Sequence, residues 1–139
     1  MSERIAVRYE WREVPSEQVT PLLSRRLVTG DRVMLAEVHL VKGCPVPGHR
    51  HEHEQLTHVM KGALRFWTGD DDAHELLLRE GDVLHLPSNV WHRAEALEDS
   101  LVLDVFSPPR EDWLSKTDAY LRTAHVGSAR EAEGQRTER

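Results

Sequence analysis

The chain has 139 residues, 30% of them charged, with a formal net charge of −6, which suits one domain with one modest core. The acidic balance and the lack of any Lys/Arg block argue against a nucleic-acid partner. The single cysteine, Cys44, excludes an internal disulfide and a cysteine-based zinc site, and no apolar run approaches membrane length, so a soluble cytoplasmic protein is expected.

Residues 1–30 are read as an N-terminal arm with a strand at 7–12 and with Arg25-Arg26 at the surface. Residues 31–110 hold short apolar segments at 32–41, 56–60, 63–67, 75–79, 82–86, 92–96 and 100–106, many alternating with period two. Lys61-Gly62 and Glu80-Gly81 suit tight turns, and residues 69–72 form a solvated loop rather than a calcium site, because three consecutive carboxylates lack spaced ligands. Strands at this spacing predict an all-β sandwich or barrel, and closure would remove exposed edges. Residues 111–124 form a C-terminal helical region: 111–122 reads as one amphipathic helix after Pro108-Pro109, with Trp113, Leu114 and Leu121 available to pack. Residues 125–139 are expected to be disordered, since the stretch from Gly127 carries no apolar residue beyond alanine.

Two glycine-bracketed segments carry the chemistry. One runs from Gly43 through His49 and His51 to Gln55; the other runs from Gly81 through Pro87 and Asn89 to His92. Residues two apart on a strand face the same side, so His49 and His51 can address one ion. Gln55 follows across a bend with matching parity, and His92 starts a neighbouring strand. Three imidazoles and an amide oxygen suit one divalent transition metal (Ni, Zn, Fe or Mn), and ligand type alone does not choose among them. A neutral glutamine leaves the full charge of the ion at the site, favouring Lewis acidity and a small anionic substrate. His53 is near enough to be a spare ligand; His58, His74, His85 and His125 are not expected to bind.

Asp104 interrupts the apolar strand 100–106, where Val102, Asp104 and Phe106 share one face. A buried carboxyl there is either held by a structural ion pair or hydrogen bond, or used in catalysis. Arg110 is either a clamp for a substrate carboxylate or a solvated partner of Glu111 or Asp112. Trp67 and Cys44 are read as packing residues, and Trp91 as either packing or lining the barrel mouth beside His92.

Together these segments resemble the cupin superfamily. The first motif runs Gly43, His49, His51, Gln55, Gly62, with glutamine where the family has glutamate. The second runs Gly81, Pro87, Asn89, His92, with asparagine where the family has glycine and Ala96 at its final asparagine. The resemblance spans residues 32–106. It implies a double-stranded β-helix or jelly-roll barrel, and a homodimer in which the N-terminal arm packs on the barrel or on the partner. Gln55 followed by Asp104, Phe106 and Arg110 is similar to KdgF-type pectin-degradation cupins, which convert a 4,5-unsaturated uronate to its linear keto form. That resemblance assigns His49, His51, Gln55 and His92 to the metal and Asp104, Phe106 and Arg110 to the active site. The alternatives are another metallocupin activity, such as a polyketide cyclase or an iron dioxygenase, and a non-enzymatic ligand-binding module.

Overall fold

The computed structural model describes residues 4–123; the expected disordered tail and His125 lie outside the described residues. Ten strands form two antiparallel sheets. The larger has the order β1 (Glu17–Thr20), β2 (Leu23–Thr29), β3 (Met34–Leu40), β10 (Ser100–Ser107), β5 (Glu54–Lys61) and β8 (Val83–Leu86). The smaller has the order β4 (Pro45–His49), β9 (His92–Ala96), β6 (Ala63–Thr68) and β7 (His74–Arg79). The two ladders remain separate rather than joining into one closed hydrogen-bonded barrel. The fold is the all-β jelly roll that the motifs imply.

Alternation decides what lies between the sheets. Met34, Ala36, Val38 and Leu40 of β3 are all buried, as are Ser100, Val102, Asp104 and Phe106 of β10, while their sequence neighbours are not. From the smaller sheet come Leu64 and Phe66 of β6, with Ala94 and Ala96 of β9. A one-residue slip would turn every one of these outward, which pins the register. Full burial of Phe106 alone contributes roughly 2–3 kcal/mol.

Turn chemistry holds the strands in place. Gly62, between β5 and β6, sits at φ 90, and a Cβ there would strike Ser100 Oγ and Asp99 O. Asn89 stands at φ 66, a left-handed position that asparagine tolerates better than most residues.

Several expectations are corrected. Residues 7–12 form no strand: 4–10 run as an exposed segment ending in a 3₁₀ turn, Trp11–Glu13, without a ladder partner among the described residues. The strands of the N-terminal region are β1 and β2, and β2 pairs along its whole length with β3. β2 was masked by its polar Ser24-Arg25-Arg26 centre. β4 was not expected as a strand over 45–48, because Pro45, Pro47 and Gly48 are uncommon within strands.

Arg25 is not at the surface. Its side chain is fully buried, donating from Nη1 to Asp118 Oδ2 (2.7 Å) and from Nε to Glu17 Oε1 (3.1 Å), with its guanidinium 4.4 Å from the Trp113 ring centre. The same bond helps explain why 111–122 is not one helix. It splits into α1 (Glu111–Leu114) and α2 (Ala119–Arg122), because Lys116 turns to φ 61 and Asp118 is drawn inward to Arg25. Trp113 and Leu121 are buried as expected, but Leu114 is exposed.

Candidate metal centre

His49 ends β4 and lies directly across from His92, the first residue of β9. His51 is not on the strand, as its spacing suggested, but in the bend leading to β5. Gln55 is the second residue of β5, on its inner face. These elements converge: donor nitrogens of His49, His51 and His92 all lie within 4.8 Å of one another. Gln55 Oε1 is 3.2 Å from His51 Nε2.

The three rings are held alike. His49 Nδ1 faces Pro47 O (2.7 Å), His51 Nδ1 faces His53 O (3.0 Å) and His92 Nδ1 faces Val90 O (2.9 Å). A carbonyl oxygen only accepts, so each Nδ1 carries the proton and each Nε2 keeps a free lone pair. Backbone support of this kind fixes both tautomer and ring orientation in metal sites. Burial, aided by the neighbouring positive groups, holds His49 well below the usual imidazole range. Burial likewise brings His51 and His92 down to about 4. The imidazoles are therefore neutral near pH 7, the form that binds a cation. The donor set fits a divalent transition metal. His53 stands outside the group of three; its ring centre is 5.4 Å from that of His51.

Gln55 is oriented from behind. Its Nε2 donates to Thr57 Oγ1 (2.8 Å) and makes a longer contact with Asp104 Oδ1 (3.4 Å), while Thr57 Oγ1 donates to Asp104 Oδ1 (2.6 Å). An amide with its nitrogen toward a carboxylate has its oxygen toward the imidazoles, so Asp104 and Thr57 set which atom the centre meets. Asp104 lies opposite Thr57 in the β10–β5 register. Burial raises its carboxyl to about 6, against the opposing pull of the Thr57 and Gln55 hydrogen bonds and the Arg110 charge. Its partners are side chains of the site, not a salt bridge or the backbone.

Arg110 is neither solvated nor free. Its side chain is 3% exposed, and Nε and Nη2 grip the two carboxylate oxygens of Asp112 (3.0 Å each). Nη2 also donates to Tyr120 Oη (3.1 Å), and the guanidinium lies 5.1 Å from the Phe106 ring centre and 5.0 Å from that of Trp113. The pairing with Asp112 that the sequence left open is present.

Two residues escaped the sequence reading. Thr57 is one, because a threonine on a strand carries no signal of its own. Tyr120 is the other. Its ring centre is 4.4 Å from that of His49, and burial raises the phenol above its usual range. It sits within the expected helix, but its approach to His49 depends on the break at Lys116.

Two spaces border the cluster and share His49, Arg110 and Tyr120 in their linings. A small inner cavity of about 50 Å³ is bounded by His49, His92, Asp104 and Phe106 together with apolar core residues. A wider mouth of about 360 Å³ is lined by His49, His51, His53, Arg110, Asp112 and Tyr120, among others. Apolar side chains dominate the inner lining, charged and polar ones line the mouth, and Arg110 borders both. Trp91 packs so closely on Gly48 that a Cβ at that glycine would overlap its ring. Away from the site, Asp70 and Asp72 pair with Arg50 (2.9 Å) and Arg93 (3.1 Å). Cys44 is buried, which pushes its thiol up to about 12. Among the described residues no helix is long and apolar enough to cross a membrane.

Comparison with known proteins agrees with this geometry. The cupin domain signature matches residues 36–106. The pectin degradation protein KdgF of Dickeya dadantii (strain 3937) is 30% identical over an alignment of 105 residues that covers 73% of this chain and 93% of that protein. The structure of KdgF from Halomonas sp. is similar at TM-score 0.72 and 30% identity, covering 78% of this chain and 99% of that one. An RmlC-like cupin from Shewanella frigidimarina NCIMB 400 is similar at TM-score 0.69 and 26% identity, covering 81% and 96%.

Proposed function

The chain belongs to the cupin family, and on that footing we propose that it is a metal-dependent enzyme of pectin breakdown that opens a 4,5-unsaturated uronate to a linear keto sugar acid. His49, His51, Gln55 and His92 would hold one divalent metal. Bound there, the cation would supply Lewis acidity toward the substrate's oxygens.

The protein's own residues carry the rest. The substrate is a cyclic hemiacetal whose ring oxygen is attached to an alkene carbon. Asp104, as carboxylate, takes the proton from the anomeric hydroxyl; the bond between the anomeric carbon and the ring oxygen breaks, leaving an aldehyde and an enolate. Asp104, now protonated, returns the proton to the far alkene carbon, and the enolate becomes a ketone. One proton leaves and one arrives, so the reaction is an isomerisation without redox change. A shuttle should ionise near working pH, and Asp104 sits at about 6. Arg110 supplies the positive charge that orients the substrate carboxylate, and Phe106 shapes the inner wall.

The observation that carries this reading is the Asp104–Thr57–Gln55 chain. Asp104 is buried and stands two hydrogen bonds, through Thr57, from Gln55, which would be a ligand of the centre. The mouth, lined by three imidazoles, two guanidiniums, three carboxylates and Tyr120, also suits a small polar substrate better than an apolar polyketide. The test is ultraviolet absorbance of 4,5-unsaturated galacturonate, whose conjugated alkene absorbs and whose keto product does not. Decay faster than the spontaneous rate, abolished by a chelator and restored by one divalent metal, is the expected result. No acceleration with any of several metals overturns the proposal.

A further inference from the structure

Tyr120 makes an unusual set of hydrogen bonds. Its Oη accepts from Arg110 Nη2 (3.1 Å) and from Trp113 Nε1 (3.2 Å). A guanidinium and an indole N–H can only donate, so both bonds use lone pairs of the phenol oxygen. A hydroxyl has two lone pairs and one proton. With both lone pairs engaged, the O–H proton has no acceptor among the described residues. Tyr120 also borders both the inner cavity and the mouth, with its ring packed on His49.

We propose that Tyr120 is a substrate-binding residue whose O–H donates to the carboxylate of the sugar acid, beside Arg110. Arg110 has spent Nε and Nη2 on Asp112 and Tyr120; among the described residues Nη1 has no partner. A carboxylate entering the mouth could accept from Nη1 with one oxygen and from Tyr120 with the other. Arg110 alone cannot offer a two-pronged grip, because Asp112 already occupies its fork. The phenol replaces the missing prong.

The chain holds Tyr120 in place from outside the site. Asp118, two residues earlier, accepts from the buried Arg25, and Arg122, two residues later, donates to Asp118 Oδ1 (2.9 Å) and Glu17 Oε2 (2.7 Å). These bonds tie α2 to β1 and β2, so the phenol is held by the framework rather than by a free terminal segment. The cupin signature ends at residue 106, before Tyr120, so this grip is added by the C-terminal segment.

The inference rests on the uronate reading, and the test separates the two. Metal-loaded wild type and Tyr120→Phe are compared in calorimetric binding of saturated galacturonate, in turnover of the unsaturated sugar and in metal content. Phenylalanine keeps the ring against His49 and removes the hydroxyl, both the proton it donates and the oxygen that accepts from Arg110 and Trp113. The expected result is about tenfold weaker galacturonate binding and a matching rise in KM. A smaller change in kcat and an unchanged metal stoichiometry should accompany them. Equal binding by the two proteins overturns the assignment. So does failure of wild type to bind galacturonate, and so does loss of metal from Tyr120→Phe, which would mean that the residue acts through His49. If wild type binds galacturonate in a Tyr120-dependent way but turns nothing over, the binding role stands and the proposed reaction falls.

Discussion

Replacing Thr57 by valine tests the link between the acid and the centre. Valine keeps the β-branch at a position only 1% exposed, so the packing changes little. What disappears is one hydroxyl that donates to Asp104 Oδ1 (2.6 Å) and accepts from Gln55 Nε2 (2.8 Å). A hydrogen bond to a charged group contributes about 1.5–3 kcal/mol, and about 1.4 kcal/mol corresponds to one pH unit. The Thr57 bond is one of the influences that lower Asp104, which stands at about 6 with it in place. Its loss should move the acid limb of kcat/KM upward by about 1–2 pH units. At pH 6.5 the variant should then run about tenfold slower than wild type, converging with it in alkaline buffer. Gln55 Nε2 is left with only its 3.4 Å contact, so thermal or urea stability should also fall by about 1–3 kcal/mol. The assay is the pH–rate profile at saturating metal, with one metal per chain verified in both proteins. An acid limb that coincides with that of wild type would refute the role given to Asp104.

Other outcomes follow from the same geometry. Asp104→Asn should slow turnover by a factor of about 100 or more while galacturonate binding and metal content persist; retained turnover would point to a different proton carrier. Gly48→Ala should destabilise the fold by about 1–3 kcal/mol, because its Cβ would overlap the Trp91 ring; an unchanged melting temperature would contradict that packing. The metal-free protein should lose stability in acid. His92 stays unprotonated down to about 4 in the fold, against 6.5 for a free imidazole, so between those values the unfolded chain binds more protons and stability rises with pH. That one group accounts for on the order of 3 kcal/mol, lost as pH falls through the window. Asp104 acts in the opposite sense. It keeps its proton up to about 6, against 3.8 for a free carboxyl, and so favours the fold at the acid end of that range. With His49 and His51 shifted in the same direction as His92, the urea midpoint should drop between pH 7 and pH 5; a rise would overturn this account.

Spacing was enough to nominate the four candidate ligands, although His51 lies off the strand that its parity assumed, and parity was enough for the inward face of Asp104 and Phe106, because these depend on local geometry. Strand alternation puts Asp104 on the Val102 face wherever the strand is packed, and a glycine-framed turn brings His92 to a strand start. The same local rules missed β4, whose prolines and glycine are uncommon within strands, and misread residues 111–122, whose apolar spacing suggested one helix. What α1 and α2 do depends on Asp118 meeting Arg25, residues 93 positions apart. The pairing of Thr57 with Asp104 depends on β5 and β10 being neighbours in one sheet, which no short window of sequence encodes. The engagement of Arg110 by Asp112 and Tyr120 likewise depends on the fold of the C-terminal segment over the mouth. Residue identity and local periodicity determined which side chains could bind a cation or carry a proton. Only long-range contacts decided how Gln55 is oriented, how Asp104 is tuned and which phenol reaches the site, because those depend on burial and on partners supplied by other strands.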